Sequence, residues 1–137
     1  MGVHITGTLT GLDTLLVHGP SGATLRTTPP QDNGGDGSAF SPTDLCAASL
    51  GACGASTAAL FAKRAGIPLE RISFEVVKEM TAAPRKIGKL TVVYRVRTSG
   101  TDEEYQKLVG AIKACPVRRT LEPNVEIDET YERDPAP

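Results

Sequence analysis

Between Leu45 and Ala62 the chain reads LCAASLGACGASTAALFA. No residue in it carries a fixed charge, and most are no larger than threonine. Such a stretch is a membrane span, a core helix or a seat of thiol chemistry, since Cys46 and Cys53 both lie in it. Its eighteen residues reach the lower end for a span. Hydrophobicity argues against that use. Only Leu45, Leu50, Leu60 and Phe61 are large and apolar, and no aromatic belt or basic flank stands on the N-terminal side. No membrane is therefore expected as a partner. A polar face is missing all round, which points to a helix buried on most sides. Gly51 and Gly54 each cost up to about 1 kcal/mol of helix propensity relative to Ala. That cost is tolerated where another backbone comes close. A second helix, from this chain or a dimer partner, is expected against this one.

Local signals bound the helix. Ser41 can cap it, Pro42 suits its first turn, and Asp44 complements the dipole. It is expected to run to about Arg64 and stop at Gly66, with Pro68 beyond. Before it, residues 3–27 read as two or three short antiparallel strands broken by the turn GPSG at 19–22. PPQDNGGDGSAF (29–40) is a loop by composition, long enough to be functional.

After it, RISFEVVKE (71–79) and KLTVVYRVR (89–97) alternate as half-buried strands. TAAPRKIG between them suggests a hairpin with a long turn. Thr101 to Glu104 has the form of a capping box, and Tyr105, Leu108, Val109 and Ile112 follow at helical spacing, predicting a helix over 102–114. Pro116 opens a short helix to about Leu121. Val125, Ile127 and Tyr131 alternate with Glu126, Asp128 and Glu132 in a last strand, and RDPAP is expected to fray. This order makes an α+β domain with helices on one face of a sheet. No repeat or linker divides it, so residues 1–137 are expected to form a single domain.

Net charge is −1, which gives no reason to expect nucleic acid as a partner. The charges are unevenly placed. Arg26 is the only Lys or Arg before Lys63. No signal peptide is visible at the N-terminus, and a cytoplasmic setting is expected. There the three cysteines stay reduced at rest. Cys46, Cys53 and Cys115 fit no zinc spacing, and only His4 and His18 could join them, so no metal and no cofactor are expected.

Cys46 and Cys53 share a helix face and lie about 10 Å apart along it, too far to bridge. Both fit the role of small buried hydrophobes. If Cys53 has a thiol partner in the chain, it is Cys115. Cys115 precedes Pro116 at the start of a helix whose free N–H groups favour a thiolate, with Arg118 and Arg119 in the next turn. A packed, inert cysteine beside solvated arginines is the plain alternative.

Four segments resemble the OsmC/Ohr family, and more closely its small OsmC-like branch. They are SPTDLCAASLGAC (41–53), KRAGIPLERISFEVVKEM (63–80), PRKIGKLTVVYRV (84–96) and CPVRRTLEPNVEI (115–127). The resemblance covers roughly residues 19–131. It implies an intertwined homodimer, with antiparallel sheets packed on long central helices and active sites at the subunit interface. It implies that Cys53 is the peroxidatic thiol and Cys115 the resolving one, with no catalytic place for Cys46. It further implies reduction of organic hydroperoxides in oxidative-stress defence, and recycling by an external dithiol of lipoyl type. Leu50 and Phe61 are candidates for the substrate pocket. Where the family pairs an arginine with a glutamate beside the reactive cysteine, this chain offers Arg26 and Asp44. Two other readings stay open: a non-catalytic dimer binding a small apolar molecule, and a redox-sensing disulfide.

Overall fold

The computed structural model describes residues 2–134. The chain divides into two compact units, one up to Cys46 and one from Ala47 onward.

The first unit is a three-stranded antiparallel meander of β1 (Ile5–Thr10), β2 (Asp13–His18) and β3 (Thr24–Thr27). Gly11 takes a positive φ of 64°, which turns β1 into β2 with no Cβ to oppose it. Val3, Ile5, Leu9 and Leu12 stay exposed. Loop 29–40 follows, holding a single 3-10 turn at Gln31–Asn33.

Helix α1 (Pro42–Ala65) begins in this unit and runs on through the second. Ser41 and Asp44 close its start reciprocally. The Asp44 N–H donates to Ser41 Oγ at 3.1 Å, and the Ser41 N–H donates to Asp44 Oδ2 at 2.9 Å. Gly66, at a φ of 69°, ends it.

The second unit adds β4 (Arg71–Ala82), β5 (Arg85–Arg97), α2 (Asp102–Lys113), α3 (Pro116–Leu121) and β6 (Glu126–Asp134). The sheet order is β4-β5-β6. The hairpin turn is short, not long. Ala82 pairs with Arg85, so most of TAAPRKIG is strand. Glu79 pairs with Lys89 and Met80 with Ile87, which leaves Gly88 as the extra residue of a bulge. β6 also departs from the all-antiparallel expectation and pairs parallel to β5. α2 and α3 supply the crossover that a parallel pair needs. Arg133 and Asp134 of the expected frayed end belong to β6; residues 135–137 lie outside the described residues.

The core sits on one face of this sheet. Leu90, Val92, Tyr94 and Val96 of β5 are fully buried, as the alternation predicts. α2 buries Tyr105, Leu108, Val109 and Ile112, the four positions expected, behind the capping box of Thr101 and Glu104. α1 buries a stripe of Ala47, Leu50, Gly51, Gly54, Ala58 and Ala62, while Ala52, Ser56, Ala59 and Leu60 are exposed. By length and composition α1 could cross a membrane, with mean hydropathy 1.6. Its buried stripe instead meets the sheet. A Cβ on Gly51 would lie 2.3 Å from the Phe74 ring, and one on Gly54 would lie 2.5 Å from the Tyr94 hydroxyl. The approach that the glycines admit is made by the Phe74 and Tyr94 rings of β4 and β5 and, at Gly54, also by Ile112 of α2, a second helix of the chain.

Candidate functional site

Cys53 and Cys115 come from different elements of the second unit. Cys53 lies in the middle of α1 and is half-buried; Cys115 stands at the N-cap of α3 and is fully buried. Cys53 lies near enough to Cys115 to act on its thiol, and both cysteines are free. Thr57, one turn beyond Cys53, donates its hydroxyl to the Cys53 carbonyl at 2.7 Å and sits 4.0 Å from its sulfur. The backbone N–H of Arg118 donates to Cys115 Sγ at 3.3 Å.

The Cys115 thiol is held above its ordinary pKa. Burial is the main cause, the Arg118 N–H opposes it, and Cys53 and Glu129 add to the rise. Cys115 therefore rests as a thiol at neutral pH.

A buried polar cluster stands beside the pair. The Glu129 side chain on β6 is only 1% exposed. Its Oε1 accepts from the Arg118 guanidinium and from the Tyr131 hydroxyl, the latter at 2.8 Å. Its Oε2 accepts from the Tyr94 hydroxyl at 3.2 Å. Tyr94 also reaches the Leu50 carbonyl of α1 at 3.3 Å. The rings of Tyr94 and Tyr131 stack, with centroids 5.7 Å apart and planes 7° apart. Burial raises both phenol pKa values, and Glu129 raises them further. Burial works against the Arg118 charge, but Glu122 and Glu129 more than offset it, so its pKa is raised.

This cluster was not singled out from sequence, although a signal is there. Glu129 shares the inward phase of Ile127 and Tyr131, whereas Glu126, Asp128 and Glu132 have the outward phase. A carboxylate on the apolar side of an alternating strand marks a buried charge in need of a cation.

The remaining candidates lie as follows. Arg26 is on β3, where its guanidinium donates to Asp13 Oδ2 at 3.0 Å and to Ser38 Oγ at 3.3 Å. Asp44 closes the α1 cap. Leu50 is a wholly buried core residue, and Phe61 is half-buried. An open recess of 360 Å³ lined by Ser56, Ala59, Arg71 and Ile72, among others, includes neither of them. Cys46 is half-buried. Among the described residues, no three His, Cys, Asp or Glu gather to hold a metal.

The family model for OsmC-like proteins matches residues 35–130. No curated protein matches the chain. Solved structures do. A protein from Psychrobacter arcticus described as an osmotic stress induced and detoxification response protein is 29% identical, with a TM-score of 0.83 over 95% of this chain and 94% of that one. An organic hydroperoxide resistance protein OsmC from Legionella pneumophila is 25% identical, with a TM-score of 0.73 over 96% and 97%. The organic hydroperoxide resistance protein OhrB of Bacillus subtilis shares the fold at 20% identity, with a TM-score of 0.66 over 96% and 98%. The chain belongs to the OsmC-like family, and its α+β architecture is that of OsmC/Ohr structures.

Proposed function

We propose that this OsmC-like protein is a thiol peroxidase that reduces organic hydroperoxides, with Cys53 as peroxidatic and Cys115 as resolving cysteine. One observation carries the reading: a half-buried thiol on a core helix lies near a fully buried thiol on another element. The hydroperoxide resistance named for the Legionella relative supports the same substrate class.

The chemistry runs in three balanced steps. The Cys53 thiolate attacks one oxygen of ROOH; the O–O bond breaks, a proton is taken up, and ROH leaves with Cys53 as sulfenic acid. The Cys115 sulfur then attacks the Cys53 sulfur. A disulfide forms, and the Cys115 proton leaves with the hydroxide as water. An external dithiol, of lipoyl type in this reading, reduces the disulfide by two exchanges and becomes a disulfide itself. The reading gives Arg26 the part of cation for the Cys53 thiolate, with Asp44 as the acid at the head of α1. Its support is that no other Lys or Arg precedes Lys63. A homodimer in the cytoplasm completes the proposal, and the exposed Val3, Ile5, Leu9 and Leu12 are the kind of surface that a second copy covers.

The test is peroxide loss with cumene hydroperoxide and dihydrolipoamide, together with peptide mapping after one equivalent of peroxide. The expected result is turnover, lost in Cys53→Ser, and a Cys53–Cys115 link. Turnover that survives Cys53→Ser sinks the mechanism. A link without turnover points to a redox sensor, and neither result points to a binding module.

A further inference from the structure

The three steps above make no use of Glu129, although its carboxylate bonds Arg118 on the Cys115 helix and Tyr94, which in turn reaches the Cys53 helix. Through Oε1 it holds the guanidinium of Arg118, whose backbone N–H holds the Cys115 sulfur. Through Oε2 it holds the hydroxyl of Tyr94, which also contacts the Leu50 carbonyl, one helical turn before Cys53. That hydroxyl occupies the gap left by Gly54, the residue after Cys53. Stacking on Tyr131 keeps the Tyr94 ring from swinging away. A buried ion pair is a poor device for stability, since an apolar pair of like volume does as well. It is a good device for fixing where two elements stand.

We propose that Glu129 is a positioning residue that sets the separation from which Cys53 and Cys115 close their disulfide, holding the Cys115 helix through Arg118 and the Cys53 helix through Tyr94. The inference rests on reading the two cysteines as a peroxidatic and resolving pair. Disulfide geometry is narrow, and a misplacement of about 1 Å costs on the order of a hundredfold in rate. Sulfenic acid formation at Cys53 needs only peroxide access and a thiolate. Closure needs both helices in register. Loss of Glu129 or of the Tyr94 hydroxyl therefore slows closure and spares the first step.

Dithionitrobenzoate tests this without peroxide, in a Cys46→Ser background. Cys53 attacks the reagent disulfide and releases one thionitrobenzoate. The Cys115 thiolate, its proton lost to buffer, then attacks the Cys53 sulfur and releases the second, leaving the Cys53–Cys115 disulfide. In Glu129→Gln and Tyr94→Phe the second release is expected to slow about tenfold or more, with the first within about threefold of the parent. Dimedone trapping after cumene hydroperoxide should show more Cys53 sulfenic acid in both variants. A merely structural role would lower the melting temperature without changing this partition. Second release at the parent rate in Tyr94→Phe overturns the proposal, and that variant decides alone if Glu129→Gln does not fold. A parent that closes with the reagent but turns over no peroxide removes the peroxidase and leaves the positioning role. A parent with no second release removes both.

Discussion

Replacing Gly54 by alanine should unfold the protein more easily, against the usual trend for glycine in a helix. Alanine gains about 1 kcal/mol of helix propensity over glycine. The new Cβ, however, would lie 2.5 Å from the Tyr94 hydroxyl, 3.0 Å from its ring carbon and 3.1 Å from Ile112 Cγ2. Tyr94 and Ile112 are both fully buried. The Tyr94 hydroxyl cannot yield freely, since its one proton is shared between Glu129 Oε2 and the Leu50 carbonyl. Overpacking costs about 1–3 kcal/mol, and a lost hydrogen bond to a buried carboxylate about 1.5–3 kcal/mol. After the propensity gain, the net loss is roughly 1.5–5 kcal/mol. With a urea slope of about 1–3 kcal/mol/M, the midpoint falls by roughly 0.5 M or more. Gly110→Ala is the internal control. Gly110 is exposed on α2 with nothing near its missing Cβ, so the same change should stabilise by about 0.5–1 kcal/mol. Adding Tyr94→Phe to Gly54→Ala should recover part of the loss, because it removes the atom that clashes. If Gly54→Ala is as stable as Gly110→Ala, the account of the α1 glycines is wrong.

Arg118→Met should cost about 3–5 kcal/mol, because it leaves the Glu129 carboxylate buried without its cation, whereas Arg118→Met with Glu129→Met should lie much nearer the parent; urea midpoints of the single and double variants decide. All three tyrosines have phenols raised above their ordinary pKa by burial. Above about pH 10 the unfolded chain thus binds fewer protons than the native one, so stability holds below that pH and falls as pH rises beyond it. Absorbance at the phenolate band should show at most one of the three phenols, Tyr105, titrating before the fold is lost, and a step near pH 10 of two or three phenols in the native protein would contradict the burial argument. Second release from the mixed disulfide should climb steeply through the alkaline range, because burial keeps the attacking Cys115 protonated at neutral pH; a flat profile speaks against that. Arg26→Met should cost less than about 1 kcal/mol, since its pair with Asp13 is exposed. Cys53 sulfenic acid formation should nevertheless slow about tenfold or more if its thiolate depends on that cation, and an unchanged rate removes Arg26 from the mechanism.

The elements with local signals were legible in the sequence. Ser41, Pro42 and Gly66 bound α1, Thr101 and Glu104 cap α2, and the alternation of Leu90, Val92, Tyr94 and Val96 gives β5 its buried face. Each depends on residues a few positions apart, so the physics that fixes it is written in one short segment. The resemblance likewise singled out Cys53 and Cys115, because the stretches around them are specific when taken together. What remained hidden depends on contacts distant in sequence. Nothing near β6 says that it runs parallel to β5, because that depends on how α2 and α3 carry the chain across the sheet. Nothing in α1 says that Gly51 makes room for Phe74, or that Gly54 makes room for Tyr94 of a strand as well as Ile112 of another helix. Glu129 looked like one acid among several on a charged strand, and only its phase set it apart. Folding makes it the buried anion that Arg118, Tyr94 and Tyr131 surround. The sequence set which residues could be buried; the tertiary structure decided which of them meet, because burial makes a charge costly until its partners arrive from elsewhere in the chain.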